Sequence, residues 1–397
     1  MTSLLRHRLP NPSIAPDYSN SIVNLMASLI EGLGGDPSDY PPLAMLPAAD
    51  VARYRRVVLM VVDGLGDLQL QGLGGGSRLL EARQGRMTSV FPSTTASAVT
   101  SFLTGLAPQQ HGLTGWHMYF REFGAVLAVL PGRPRYGGVS LGQAGIKVGP
   151  WLGHTPVFNR IPHQSLMVTP EEIARSDFNL AHLGLAELSP FASLQGFFEA
   201  MARGVEEAFG PRLIFGYWSE WDHLAHIHGS MGPKVKEHLT QWDQGFQGFL
   251  ERIRGSDTLV VVTADHGFID TPPDRTIHLD DYPEIESCLV LPLTGEPRVA
   301  YAHLRSGAAL RFESLINEQL AHAVAMVRSE ELLEAGWFGY GRPHPRLKDR
   351  IGDVVLMMRD NYIIRDGLYG ERQHSLRGVH GGTTPQEMWV PLATVEA

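Results

Sequence analysis

The sequence predicts an α/β fold: a mostly parallel central sheet with helices on both faces, carrying a small inserted α+β subdomain. Three observations predict it. Continuous β-branched runs recur at Arg55–Val62, Leu213–Tyr217 and Thr258–Thr263, the texture of strands buried on both faces. Each run stops abruptly at polar, ionisable residues. Between the runs lie helical patterns, among them Leu194–Ala208 and Val235–Ile253, and strands alternating with helices build parallel sheets.

Taken in chain order, residues 1–52 read as a leader with one amphipathic helix near Asn20–Leu33, closed by Gly34-Gly35-Asp36-Pro37. The main domain is expected over residues 53–273 and 368–397. Between them, from Asp274 to Gly367, the texture changes. A proline-rich passage leads into Arg298–Leu304, a helical stretch Glu313–Val327 and a strand Gly352–Met358, the expected inserted subdomain of residues 274–367. A chain of 397 residues suits one large domain with such an insertion.

Composition narrows the function. The formal net charge of −9 argues against a nucleic-acid binder, whose affinity comes from Lys and Arg neutralising phosphates. Cys288 is the single cysteine, which excludes an internal disulfide, Cys-rich zinc modules and iron–sulfur clusters. The purely apolar runs are strand-sized, far below the ~18 residues a membrane helix needs. The first thirty or so residues hold no uninterrupted apolar segment of the signal-peptide kind. A cytoplasmic protein with a small-molecule substrate is expected, with no membrane and no nucleic-acid surface; oligomeric state leaves no trace in the sequence.

Open parallel sheets place ligands at the C-terminal ends of their strands. Asp63 follows the first run; Asp222 and His226 follow the second; Asp265 and His266 follow the third. Near the C-terminus, Gly378-Val379-His380-Gly381-Gly382 forms a loop before the last apolar stretch, Met388–Val395. Three Asp and three His on one edge are a metal-site inventory. Asp222 and His226, four apart, project from one face of a helical turn and can grip a single ion. Carboxylate with neutral imidazole suits zinc, with manganese as the alternative. Six such ligands are too many for one tetrahedral ion and fit two, given one further oxygen.

The hydroxyl-rich segment Phe91-Pro92-Ser93-Thr94-Thr95-Ala96-Ser97-Ala98 opens a helix from Thr95 to about Leu103 and offers that oxygen. A threonine there sits in the positive field of exposed helix N–H groups. Coordination to a divalent cation lowers a hydroxyl's pKa and makes it a nucleophile. Alone, each motif has an ordinary reading: a hydroxyl cluster is usually an N-cap and Asp-Gly usually a turn. Their conjunction, in order and at strand ends, outweighs those readings.

In that order, Val-Val-Asp63-Gly, Phe-Pro-Ser-Thr-Thr95, Leu103-Thr104-Gly105, His111-Gly112, Asp222-x-x-x-His226, Asp265-His266-Gly267 and His380-Gly381 resemble the alkaline phosphatase superfamily, and within it the nucleotide pyrophosphatase/type I phosphodiesterase branch. The resemblance implies an alkaline phosphatase-like sheet and two zinc ions. Asp222, His226 and His380 would hold one; Asp63, Asp265 and His266 would hold the other, with Thr95 as the nucleophile contacting it. The implied reaction is in-line attack of Thr95 on phosphorus, a phospho-threonine intermediate, then attack by water. Two divalent cations bring more charge than their three aspartates remove, so an acidic chain would present a positive site to an anionic ester.

Two departures limit what carries over. Trp116 stands where the branch places a phosphate-binding Asn, and Ser97-Ala98 replaces its Pro-Asn pair. Trp116, His117 and His278 are the candidate substrate contacts, with His374 a further loop histidine. Phosphodiester or pyrophosphate hydrolysis is therefore the expected chemistry, with monoester or phosphonate hydrolysis as the alternative. A non-catalytic metal- or phosphate-binding protein is the rival of a different class.

Overall fold

The computed structural model describes residues 8–369, 371 and 376–397; residues 1–7 of the expected leader, and His374, lie outside them. Seven strands form the central sheet: β1 (Arg56–Val62), β2 (Arg83–Thr88), β3 (Gln164–Pro170), β4 (Glu187–Phe191), β5 (Arg212–Trp218), β6 (Thr258–Thr263) and β7 (Trp389–Glu396). Their spatial order is β2-β7-β6-β1-β5-β3-β4. The five strands from β6 to β4 run parallel, and β7 is antiparallel to both β6 and β2. The three runs read from sequence are the central trio β6-β1-β5. Their side chains are buried on both faces, which is why they lack the polar alternation of a half-exposed strand.

Five helices shape the main core and the site: α1 (Ile22–Gly32), α2 (Thr95–Thr104), α3 (Leu194–Glu206), α4 (Glu220–His228) and α5 (Pro233–Arg252). Neighbouring residues of β5 show that both faces of the sheet are covered. A Cβ on Gly216 would lie 2.7 Å from Met201 Sδ and 2.9 Å from the Phe197 ring, both on α3. Successive strand side chains point to opposite faces. Phe215 and Tyr217 accordingly open onto the other side, in a cavity they share with Thr95, Val99 and Leu103 of α2.

The helix α1 departs from the expected amphipathic pattern. Every residue from Ile22 to Ile30 is buried, and the helix packs against α2 within the main core. Its polar residues are sequestered, not solvated. Asn24 Nδ2 donates to the carbonyls of Tyr18 and Pro41, each at 2.9 Å, and the Leu43 N–H donates to Ser28 Oγ at 2.7 Å. Buried polar groups persist when their hydrogen bonds are made; in sequence the same residues imitate a wet face.

A second sheet is antiparallel throughout. It runs through residues 324–328, 354–358, 299–302, 294–295, 117–120, 125–128 and 133–134 in that spatial order. Four of its strands thus come from the 274–367 passage and three from residues 117–134. The two contributions meet where Gly295 pairs with His117. A Cβ on Gly115 would sit 2.7 Å from the Gly295 Cα, so this junction needs glycine for close backbone approach. The helical stretch expected over Glu313–Val327 is shorter than its pattern suggests. Helix Ala309–Leu315 runs into a π-helical turn at Ile316–Leu320, and Val324–Arg328 pairs as an edge strand.

One buried ion pair ties this sheet to the chain just after His380. Arg298 donates to Glu387 through two bonds of 2.9 Å, with both side chains fully buried. Glu387 also accepts from the Gly382 N–H at 2.8 Å and from Thr384 Oγ1 at 2.7 Å. Substituting Arg298→Met should strand a buried carboxylate and cost about 3–5 kcal/mol. Denaturant unfolding at neutral pH would read that loss; a change below about 1 kcal/mol would show the pair to be inessential.

Candidate metal centre and active site

The three central strands end side by side, and their first polar residues converge. Asp63 and Asp265 divide their oxygens between structure and site. The Tyr217 hydroxyl donates to Asp63 Oδ2, leaving Oδ1 at 3.5 Å from Thr95 Oγ1 and 3.3 Å from His266 Nε2. Asp265 Oδ1 accepts from the backbone N–H groups of Gly64, at 2.9 Å, and His266, at 3.0 Å. Asp265 Oδ2 is buried without a hydrogen bond among the described residues, 3.4 Å from His266 Nε2. Asp222 Oδ1 is likewise buried and unpaired, 3.4 Å from His226 Nε2 and 3.6 Å from His380 Nε2.

Two of the three imidazoles are aimed from behind, whereas His380 Nδ1 is buried without a hydrogen bond among the described residues. His226 Nδ1 lies 2.8 Å from the Gly378 carbonyl and His266 Nδ1 lies 3.1 Å from that of Gly267. A proton on Nδ1, donated to the carbonyl, leaves Nε2 as a free lone pair. The His266 and His380 rings stack 3.8 Å apart, and His226 lies 5.1 Å from His380 between ring centroids. Two overlapping triads result, each with ligand atoms within 4.8 Å of one another: Asp63, Asp265 and His266, and Asp222, His266 and His380. His266 sits at the junction of the two.

Electrostatics test whether these residues fit divalent cations. Burial pushes Asp63 and Asp265 up to about 8 and Asp222 up to about 7. The charge of Asp222 adds to the effect on Asp63, and that of Asp63 to the effect on Asp265. Burial also drives His226 and His380 below the ordinary histidine value. Ionised carboxylates packed this closely without a cation are costly, and neutral imidazoles with free Nε2 lone pairs are ready donors. The unpaired oxygens of Asp222 and Asp265 are the atoms a metal would take up. The donor set fits.

Thr95 is the first residue of α2, after the extended Thr94. Its Oγ1 is 3.1 Å from His266 Nε2. Neighbouring hydroxyls are turned to other tasks: Ser93 Oγ donates to the Gly382 carbonyl at 2.7 Å, and Thr94 Oγ1 donates to Glu296 Oε1 at 2.6 Å. Glu296 carries no motif that marks it in the sequence. It also accepts from the Trp116 N–H at 2.7 Å, and burial pushes it up to about 7. Thus one buried carboxylate fixes both the residue before Thr95 and the loop bearing Trp116. The tight turn at Gly381, with φ +104°, leaves no room for a Cβ, which would approach Glu296 Cβ to 2.9 Å.

The expected substrate contacts part company. Trp116 lines a cavity of about 650 Å³ that opens onto Asp63, Thr95 and Asp222. His117 lies in a neighbouring cavity of about 260 Å³ with Arg135 and Glu296. His278 faces a cleft of about 860 Å³ with Arg365 and Arg377. Thr95 lines neither of the last two. Among the described residues, no helix is long and apolar enough to cross a membrane.

Known proteins resemble this chain in sequence or in fold. A stretch of this chain is 35% identical over 97 residues to the catalytic subunit of GPI ethanolamine phosphate transferase 3 from Mus musculus, covering 20% of this chain and 9% of that protein. The Homo sapiens counterpart is 36% identical over 76 residues, 17% of this chain and 7% of that protein. The matches thus span less than a tenth of these relatives. Murine ectonucleotide pyrophosphatase/phosphodiesterase 5 superposes with a TM-score of 0.63 at 19% identity, over 85% of this chain and 87% of that one. An inactive form of that protein in complex with AMP fits equally well. Phosphonoacetate hydrolase from Sinorhizobium meliloti, in complex with phosphonoacetate, gives 0.63 at 18% identity, over 86% of this chain and 90% of that one. The sequence profile described as type I phosphodiesterase/nucleotide pyrophosphatase matches residues 57–383, a span from β1 to just beyond His380. The chain belongs to this family of phosphoester hydrolases, within the alkaline phosphatase superfamily.

Proposed function

We propose that this chain hydrolyses phosphoric diesters in two steps through Thr95, with two divalent cations, zinc or manganese, in the adjoining triads. The position of Thr95 Oγ1 carries the reading. It is the hydroxyl of its cluster that faces the site, 3.1 Å from His266 Nε2 and 3.5 Å from Asp63 Oδ1. Asp222 and His380, with His226 3.4 Å from Asp222 Oδ1, would hold one ion, and Asp63, Asp265 and His266, with Thr95, the other. His226 lies outside the tighter triad, in which His266 stands with Asp222 and His380. When bound, such ions lower the pKa of the hydroxyl and offset charge on the phosphoryl oxygens.

The chain supplies the rest. The first N–H groups of α2, which have no partner within the helix, would face a phosphoryl group at Thr95, where the helix field favours negative charge. Glu296 holds Thr94 and the Trp116 loop, so the nucleophile approaches phosphorus from a fixed backbone. Thr95 Oγ, its proton released to solvent, forms the new bond to phosphorus as the leaving alkoxide or phenolate departs with the electron pair. Water then breaks the P–Oγ bond and returns the threonine. The apolar cavity beside Thr95 receives the ester arm that remains on phosphorus.

Two displacements at phosphorus predict retention of configuration. A chiral phosphorothioate diester hydrolysed in ¹⁸O-water with zinc or manganese should give a retained product; inversion would mean direct attack by water and remove Thr95 from the covalent role.

A further inference from the structure

We propose that the cleft of about 860 Å³ bearing His278 is a second binding site, separate from the reacting centre, for a small molecule carrying a dianionic phosphoryl group. The proposal stands on the geometry of the cleft and does not depend on Thr95 as nucleophile.

Strand register builds one side of the cleft. The strands Thr276–His278 and Ile363–Arg365 pair in parallel, with Thr276 opposite Ile363, Ile277 opposite Ile364 and His278 opposite Arg365. Side chains alternate between the faces of a strand pair, so Thr276, His278, Ile363 and Arg365 share one face. All four line the cleft. Ile277 and Ile364 take the other face and are buried in the apolar cluster of the 274–367 passage. Neighbouring strands lie about 4.8 Å apart, so His278 and Arg365 leave the sheet side by side.

The rest of the lining comes largely from the main domain. Ile269–Asp270 runs antiparallel to Gly378–Val379, and the Thr271 N–H donates to the Arg377 carbonyl at 2.7 Å. Asp270, Thr271 and Arg377 thus stand together, with Pro272 and Pro273 beside them. A ligand between the two strand pairs would bridge the main domain and the 274–367 passage.

The cleft holds donors that the fold does not use. The Thr276 hydroxyl, the His278 imidazole and the Arg377 guanidinium have no hydrogen bond or ion pair among the described residues. Thr271 is 6% exposed, and its buried Oγ1 has no hydrogen bond either. Water satisfies exposed donors, but a buried hydroxyl without a partner is out of the ordinary. Arg365 and Arg377 stand against one acid, Asp270, whose Oδ1 accepts from the Ser230 N–H at 2.6 Å. The cavity beside Thr95 is the converse: among the described residues lining it there is neither lysine nor arginine. Neither Thr95 nor any of the six Asp and His candidates for the metals lines the cleft, so its occupant is not the reacting ester.

Guanidinium groups bind phosphoryl oxygens through paired hydrogen bonds. A tetrahedral dianion presents three such oxygens and can meet donors from both strand pairs at once; a planar carboxylate offers two in one plane. Pro272, Pro273 and Ile363 give an organic body apolar surface, and the volume suits a small molecule more than bare phosphate.

Arginine modification followed residue by residue reads occupancy without relying on catalysis. Zinc-loaded protein is treated with phenylglyoxal at about pH 8, above the second ionisation of a phosphoryl group, and peptide mass spectrometry follows Arg377. A site of about millimolar affinity should slow its modification about tenfold at about 10 mM phenylphosphonate. Benzoate, with the same ring on a planar monoanion, should slow it less than about twofold. The double variant Thr276→Ala/His278→Ala removes donors from the other strand pair and leaves Arg377 and the triads intact. In it, protection by phenylphosphonate should fall to about twofold. Phenylphosphonate held only at the triads would leave Arg377 reactive, or protect it equally in both proteins. Either result, or equal protection by benzoate, overturns the proposal.

Discussion

Thr95→Ala is expected to lower the rate of phosphodiester hydrolysis by about 10³-fold or more while the protein still folds and still takes up metal. The local structure explains why no neighbour should substitute. Thr94 Oγ1 is held by Glu296 and Ser93 Oγ by the Gly382 carbonyl, so neither hydroxyl can turn to phosphorus without breaking a buried bond. Ser97 is fully buried two residues further into α2. Asp63, Asp265, His226 and His266 have anchors other than the Thr95 methyl or hydroxyl. They are set by Tyr217, by the backbone of Gly64 and His266, and by the carbonyls of Gly378 and Gly267. Thr95→Ser keeps the oxygen at the helix N-terminus and should retain much of the activity. The check is steady-state hydrolysis of bis-p-nitrophenyl phosphate alongside elemental analysis of each variant. Wild-type activity in Thr95→Ala would remove Thr95 from the chemistry. Loss of metal together with activity would make it a ligand first and a nucleophile second.

The parts of this molecule legible in sequence are those whose physics is local. Strands β1, β5 and β6 announce themselves because both faces are buried, and the candidate metal ligands Asp63, Asp222, His226, Asp265 and His266 are found by looking just past their ends. Edge strands carry no such signal. Arg83–Thr88 alternates exposed and half-buried residues before its buried end, and Glu187–Phe191 carries Ser189 and Pro190 within the strand, which an edge tolerates. The helix α1 misleads for the opposite reason, since Asn24 and Ser28 look solvated and are satisfied inside the core. Glu296 is invisible in sequence because nothing beside it in the chain reports its role. Its partners, Thr94 and Trp116, reach it only when the strand at residues 294–295 pairs with the strand at residues 117–120. The cavity lacking lysine and arginine is equally non-local, assembled from α2, β3, β5 and the loops after them.

With the metal stripped, Asp63, Asp265 and Asp222 should each withdraw stability as pH rises, against the opposite slope of buried histidines such as His226 and His380, and restoring the metal should cancel the aspartates' share. In the metal-free fold Asp63 and Asp265 are pushed up to about 8 and Asp222 to about 7, against about 3.9 for an aspartate in the unfolded chain. A carboxyl whose pKa is raised on folding binds its proton more tightly in the native state. Its full stability is present below about pH 4 and is lost progressively as pH climbs through the folded value. The window of loss therefore runs from about pH 4 to about 8 for Asp63 and Asp265. Divalent ions bind the deprotonated carboxylates and neutral imidazoles, so their stabilisation grows across the same window. Burial lowers the pKa of His226, His380 and other histidines, and these gain stability over the same range, so the aspartates' share is read as a difference. With both proteins chelated, the melting temperature of Asp265→Asn relative to wild type should rise by roughly 5 °C between pH 5.5 and 8. The gap between zinc-loaded and chelated protein should widen in step. Asp265→Asn removes one of the coupled acids, so it should flatten the metal-free slope and narrow the zinc-induced gap. Calorimetry across that range decides the matter. A constant offset between chelated Asp265→Asn and chelated wild type from pH 5.5 to 8 would mean that the three aspartates are not a charge-strained ligand set, and that the fold does not require the cations they are fitted to hold.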